Sequence, residues 1–137
     1  AMKKCIEQDK VLAIEGPMTT GEAMAADPIA QQSKVAVFGT GTTGPKVTEI
    51  GDYVFRNAIP GKMNIPQVVE KAQKKLGFKK IAIMYSNNND QMVGEHQFYL
   101  DACKKLGLEV VADETFADKD TDCDNIWVCC LDLGQLS

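Results

Sequence analysis

Residues 35–45 of the chain read Val-Ala-Val-Phe-Gly-Thr-Gly-Thr-Thr-Gly-Pro. A short apolar run rich in valine predicts a buried strand, and the glycines and threonines that follow end it within a single step. In an open α/β sheet, loops at the carboxyl ends of strands share a crevice, and glycine lets a ligand approach the backbone. The fold question is whether strands and helices alternate on both sides of this run. The functional question is what its loop would hold.

Alternation is present throughout. Residues 11–14 read as a first buried strand and residues 15–21 as a loop. An alanine-rich helix over 22–26 follows, which Pro28 breaks or kinks before it resumes through Gln32. Thr19 or Thr20 is its candidate N-cap. After the glycine loop come a short helical turn over 46–50 and a strand over 53–56. Residues 57–64, with Pro60 and Gly61, read as a connection. Val68, Val69, Ala72 and Leu76 recur at helical spacing, which predicts a helix over 66–76 with Pro66 in its first turn and Gly77 as its stop. A strand over 81–85, a polar loop over 86–90, a helix over 91–106 ended by Gly107 and a strand over 108–111 complete the pattern. Strands alternating with helices in this way predict an α/β fold with parallel sheets covered by helices. Beyond Ala117 four aspartates crowd together, and the apolar run 126–131 has neither helical nor strand alternation, so no element is assigned there.

At 137 residues the length suits one ordinary domain, with two small lobes also open. Fifteen basic and nineteen acidic residues leave a net charge of −4. The lysines mostly pair on helix faces, so nucleic acid is not an expected partner. No apolar run approaches the roughly 18 residues that cross a bilayer. Residues 1–10 have the charged start of a signal peptide without its apolar middle, and Ala1 ahead of Met2 reads as an added residue. The five cysteines, at 5, 103, 123, 129 and 130, fit neither a zinc ribbon nor a regular disulfide framework. Reduced thiols with Cys103 in the core, and no metal, are expected.

The loop Gly39-Thr40-Gly41-Thr42-Thr43-Gly44 matches G-x-G-x-x-G after a strand, the spacing of a dinucleotide's phosphate cradle. That cradle needs a full helix after the glycines and an acidic residue about 20 positions on; here Pro45 and Gly51 bracket barely two turns. A flexible loop without a ligand is the plainer alternative. Repetition favours a site: Thr19-Thr20-Gly21 opens a helix whose N-terminus suits a carboxylate. Thr42-Thr43-Gly44 adds hydroxyls and amides, and residues 87–90 add polar groups from a later strand. Such a set suits a small polar or zwitterionic ligand. No Ser-His-Asp set and no carboxylate pair supports hydrolysis. His96, on a helix, is expected to be exposed rather than catalytic.

Four segments carry a resemblance: Lys10-Val11-Leu12-Ala13-Ile14-Glu15-Gly16-Pro17 with Thr19-Thr20-Gly21; Pro28-Ile29-Ala30-Gln31; Thr43-Gly44-Pro45 with residues 48–56; and residues 75–83, Lys-Leu-Gly-Phe-Lys-Lys-Ile-Ala-Ile. In order and spacing they resemble the type I periplasmic substrate-binding proteins of the branched-chain amino acid transport class, from about Ile6 to Asp122. The resemblance implies Rossmann-like lobes hinged around a cleft, closing on a ligand in a motion that a transporter senses. It implies that Thr20 and Gly21 hold a ligand carboxylate, with Thr19 beside them. Gly41 would offer its carbonyl to an ammonium group, and Thr43, with Thr42, would contribute hydroxyl and amide. Gln91 stands near a position where many members place an aromatic residue, which bears on side-chain preference. Glu15 stands where the family keeps an apolar strand residue, as an edge position or a site partner.

The expectations are therefore a parallel, Rossmann-like α/β fold of this type, incomplete relative to the family. Residues 1–58 form a partial first lobe, 59–116 a partial second lobe and 117–137 a divergent tail; the alternative is one α/β sheet. By resemblance, the partners are a small amino acid or related carboxylate and an ABC transporter permease, the location is extracytoplasmic, and neither a cofactor nor catalysis is expected. Length and the change of pattern after Asp122 suggest a truncated fragment with an incomplete cleft. An uncovered edge at residues 11–14 suggests a homodimer or strand-exchanged assembly. Two rivals remain: a stand-alone flavodoxin-like protein-interaction domain with all five strands in one sheet, and a nucleotide-using enzyme.

Overall fold

The computed structural model describes residues 1–117 and 119, and the chain divides into two compact units, Ala1–Ile65 and a second beginning at Pro66. In the first unit, β1 (Ala13–Glu15), β2 (Ala36–Gly39) and β3 (Val54–Arg56) form a parallel sheet in that order. Residues in register share a face, so Ile14, Val37 and Val54 line up on one side. Val37, on the central strand, is fully buried, which contributes about 1.5–3 kcal/mol. The opposite face carries Phe38 and Phe55, stacked with ring centroids 5.2 Å apart and still nearly half exposed.

Helix α1 (Thr20–Ser33) buries Thr20, Ala23, Asp27 and Ala30, a stripe at helical spacing. It packs on β2, β3 and a 3₁₀ turn, Val47–Glu49. Ala23, Val47 and Val54 form the core of this contact, with Ile50 against it. Thr19 is the N-cap: its hydroxyl accepts from the Glu22 amide, and the Glu22 carboxylate accepts from the Thr19 amide.

Contrary to the expected break, α1 runs through Pro28 without interruption. Proline removes one bond, to the carbonyl four residues back, and its ring crowds that carbonyl, but the rest of the ladder remains. Both ends are independently fixed, by the Thr19 box and by Lys34, whose amide reaches the Ala30 and Gln31 carbonyls from a left-handed conformation. The first strand also differs from expectation. It starts at Ala13, Leu12 is 94% exposed, and β1 is an edge, which leaves Glu15 in solvent.

Helix α2 (Gly61–Leu76) begins five residues before the expected Pro66. Its first turn is set by the Pro60 carbonyl, which accepts from the Met63 and Asn64 amides, while the Gly61 amide donates to the Thr43 carbonyl. Gly61, Ile65 and Val69 are its buried residues; Val68 and Leu76, expected on the core face, are more than half exposed.

In the second unit, β4 (Lys80–Ser86) and β5 (Glu109–Phe116) pair in parallel with one register irregularity at Ile81/Ala82. Helix α3 (Asp90–Leu106) packs on both strands. Asn89 caps it by accepting from the Gln91 and Met92 amides, and Gly107 ends it at φ 66°. Cys103 is fully buried beside Ala102 and Leu108 in the sequence of buried positions that closes this unit, and burial pushes its thiol pKa up. Strand β5 continues to Phe116, beyond the expected end at residue 111, because each added residue finds a partner on β4 as far as Ser86.

The strands thus form a three-stranded and a two-stranded parallel sheet among the described residues. A single five-stranded flavodoxin-like sheet is overturned by this pairing. No helix among the described residues is long and apolar enough to cross a membrane. The aspartate cluster, the run 126–131 and Cys123, Cys129 and Cys130 lie outside the described residues.

Candidate functional site

Two loops of the first unit meet at the carboxyl end of its sheet. One leads from β1 to Thr19, with Thr20 and Gly21 opening α1 directly after it; the other follows β2 and contains Gly41, Thr42 and Thr43. Thr20 joins them, since its hydroxyl accepts from the Gly44 amide at 3.2 Å. The approach is close enough that a Cβ on Gly44 would lie 2.5 Å from Thr20 Cγ2, and one on Gly41 would lie 2.8 Å from the Met18 carbonyl oxygen. Glycine is required at these two positions by contact between the loops.

Most backbone groups of the glycine loop are committed inside the protein. The Gly39 carbonyl accepts from Asn57, the Gly41 carbonyl from Thr43 and the Thr43 carbonyl from Gly61. The carbonyls of Thr42 and Gly44 both accept from Arg56 Nη1, at 3.0 and 2.7 Å. The amides of Thr40, Gly41 and Thr42 have no acceptor among the described residues. The Thr20 and Gly21 amides open α1 and so lack intrahelical partners. This end of the sheet therefore offers N–H donors together with the positive end of a helix dipole, a setting that favours an anionic group.

Each side chain named from the sequence has a definite position. The Thr19 hydroxyl is used by its cap, and the Thr20 hydroxyl by Gly44. Thr42 is fully buried, and its hydroxyl, without a partner among the described residues, is turned toward Gly39, where a Cβ would overlap it. The Thr43 amide is taken by Gly41, whereas Gly21, Gly41 and Thr43 remain partly accessible. These six residues belong to one unit and are brought together.

Gln91 belongs to the second unit, in the first turn of α3. It lines a cavity of about 340 Å³ beside β4, with Tyr85, Met92, Glu95, His96 and Tyr99. His96 differs from its expected exposure. Its side chain is 18% exposed, its ring stacks on Tyr85 at 4.2 Å, and Nε2 lies 2.9 Å from both Asp113 carboxylate oxygens. The polar loop before α3 is held in the same unit by Ser86, whose hydroxyl bonds Asn88 at 2.7 Å, and by the Asn89 cap.

Three residues not named as site candidates from the sequence shape the first unit. Arg56 bonds the glycine loop. Gln31 accepts from the Tyr53 amide at 2.9 Å, fixing the entry to β3. Asp27 is fully buried, neither carboxylate oxygen has a partner among the described residues, and burial pushes its pKa up to about 6. A polar residue on the inner stripe of α1 was the available signal for Asp27. For Arg56 there was none, because only the pairing of β2 with β3 places it opposite Gly39. Among the described residues no group of three or more His, Cys, Asp or Glu side chains could hold a metal ion.

Comparison with known proteins gives these loops a context. A search of curated proteins finds no match. A leucine binding protein from Thermotoga maritima is 26% identical, with a TM-score of 0.88, over 97% of this chain and 38% of its own. The branched-chain amino acid transporter substrate binding protein from Streptococcus pneumoniae, solved with isoleucine, is 28% identical with a TM-score of 0.82, over 93% of this chain and 36% of its own. A solute binding protein of an ABC transporter from R. palustris, solved with 4-hydroxybenzoate, shares the fold at 23% identity and a TM-score of 0.84, over 96% of this chain and 35% of its own. The chain thus spans well under half the length of each. The family model described as periplasmic binding protein matches residues 1–129; with its parallel α/β sheets of the type I topology, incomplete relative to the family, the chain belongs to the periplasmic binding protein family.

Proposed function

We propose that the chain is part of a solute-binding component of an ABC transport system, and that its first unit carries one wall of the binding site for a small amino acid or related carboxylate. The observation that carries this reading is the convergence of the α1 N-terminus and the glycine loop, tied by the Thr20–Gly44 bond, with uncommitted amides on both. The ligands named in the solved relatives, isoleucine and 4-hydroxybenzoate, share only a carboxylate. That is the group a helix N-terminus and loop amides suit.

In this reading Thr20 and Gly21 receive the carboxylate through their amides, with Thr19 fixing the helix end. Gly41, Thr42 and Thr43 form the loop side, with Thr42, fully buried, supporting the loop from behind. Gln91 is a proposed contact to the rest of the ligand. The protein acts by binding rather than catalysis, outside the cytoplasm and with a transporter permease as partner. The two units correspond to parts of two lobes. A homodimer is proposed on the exposed edge at β1, where Leu12 stands in solvent; light scattering at micromolar concentration tests it, and a stable monomer contradicts it.

Thermal-shift screening tests the ligand class. Stabilisation by leucine, isoleucine or 4-hydroxybenzoate, and not by their amides or by nucleotides, is the expected result. Stabilisation by nucleotides alone contradicts the reading.

A further inference from the structure

Arg56 stands at the carboxyl end of β3, in register with Gly39 at the end of β2. Its Nη1 donates to the Thr42 and Gly44 carbonyls, one on each side of Thr43. A trans peptide points its C=O and N–H in opposite directions. Holding the Thr42 carbonyl on the guanidinium therefore sends the Thr43 amide away from it, and that amide meets the Gly41 carbonyl at 3.0 Å. The Gly44 amide meanwhile reaches Thr20. One cation thus fixes the direction of the Thr42–Thr43 and Gly44–Pro45 peptide units, the two that flank the unit whose Gly44 amide seats the loop on α1. Such bonds are charge-assisted and stronger than neutral ones. Arg56 has no carboxylate partner among the described residues, so its charge is directed to the loop alone.

We propose that Arg56 is the positioning residue of this wall: it holds the far side of the glycine loop, and so keeps the loop in the fold that presents the partly accessible Thr40 and Gly41 residues, with their amides, to a carboxylate. The effect on affinity rests on the ligand reading above; the latch itself does not. Methionine matches much of the arginine stem and removes every donor, and lysine keeps the charge without the planar fork.

The test is amide exchange by NMR on the full chain without ligand, combined with L-leucine titration. In Arg56→Met, exchange at Gly44 is expected to accelerate at least tenfold, while Val37 and Val54 stay within twofold of the native chain. Arg56→Lys is expected to fall between the two, with at least threefold acceleration, and it decides the matter if the methionine variant does not fold. Leucine affinity is expected to fall at least tenfold in Arg56→Met and less in Arg56→Lys. Unchanged Gly44 exchange overturns the proposal, as does equal acceleration at Val37 and Val54, which would mark a general loss of stability. Faster exchange with undiminished leucine affinity also overturns it. Should the native chain not bind leucine, the ligand reading fails, and the exchange data alone decide whether Arg56 latches the loop.

Discussion

The two units solve the same problem in different ways. In the first, the strands are 3, 4 and 3 residues long, so the ladder supplies few bonds, and side chains make up the difference by reaching backbone groups. Thr20 holds Gly44, Gln31 holds Tyr53, and Arg56 holds Thr42 and Gly44. In the second, strands of 7 and 8 residues pair along their length, and α3 is fastened by His96 to Asp113 and by its stack on Tyr85. In the first unit, then, residues beside the proposed ligand also hold the fold. In the second, the ladder and the helix do so without the loop.

The largest expected effect lies in the second unit's core. Ile83, at the centre of β4, is 7% exposed, and Ile83→Ala is expected to cost about 3 kcal/mol in chemical denaturation. A loss below about 1 kcal/mol would break the contrast, since the ladder would then not carry that unit.

Next comes a pH effect confined to the first unit. Asp27 is buried without partners among the described residues, and its pKa is about 6 in the folded chain against an ordinary 3.8. A carboxyl with a raised folded pKa contributes most below its unfolded pKa, and that stability is lost as pH rises through the folded value. Asp27→Ala should therefore gain about 2–3 kcal/mol over the native chain at pH 8 and converge with it by about pH 4. Parallel pH profiles for the two chains would show that the carboxyl is not sequestered.

Gly44→Ala sharpens the same side of the comparison. The new Cβ would meet Thr20 Cγ2 at 2.5 Å and Oγ1 at 2.7 Å, at an expected cost of about 2 kcal/mol. Thr20→Ser in the same chain removes the methyl and should recover part of the loss, measured as a double-mutant cycle. The smallest effect is His96→Phe in the second unit. A ring stays beside Tyr85 while the bond to Asp113 goes, and a loss of about 1 kcal/mol is expected from thermal melts. A larger loss than for Ile83→Ala would mean that the fastening, rather than the ladder, holds the second unit.

The sequence was most legible where local chemistry and period agree. The pair Thr19 and Thr20 announces a helix start, and Thr19 of the two is the cap; Gly107 marks a helix end and the run at β4 a strand, both as expected. It was least legible where a local signal pointed the wrong way. Pro66 suits a first turn and so hid the real start at Gly61, while the acidic pair Asp113 and Glu114 obscured the end of β5. The meeting of Thr20 with the glycine loop could be inferred because loops at strand ends share a crevice. The Thr43 amide closing on Gly41, and the reach of Arg56, could not, since both depend on how the loop folds back after β2 and on its register with β3.

Titration of the full chain with L-leucine, followed through its backbone amide resonances, tests most directly whether the two loops of the first unit form one binding wall. The account predicts saturable shifts clustered at Thr20, Gly21 and Thr40 to Thr43, abolished when leucinamide replaces leucine. Shifts confined to one loop, equal shifts with leucinamide, or none at millimolar leucine would contradict it.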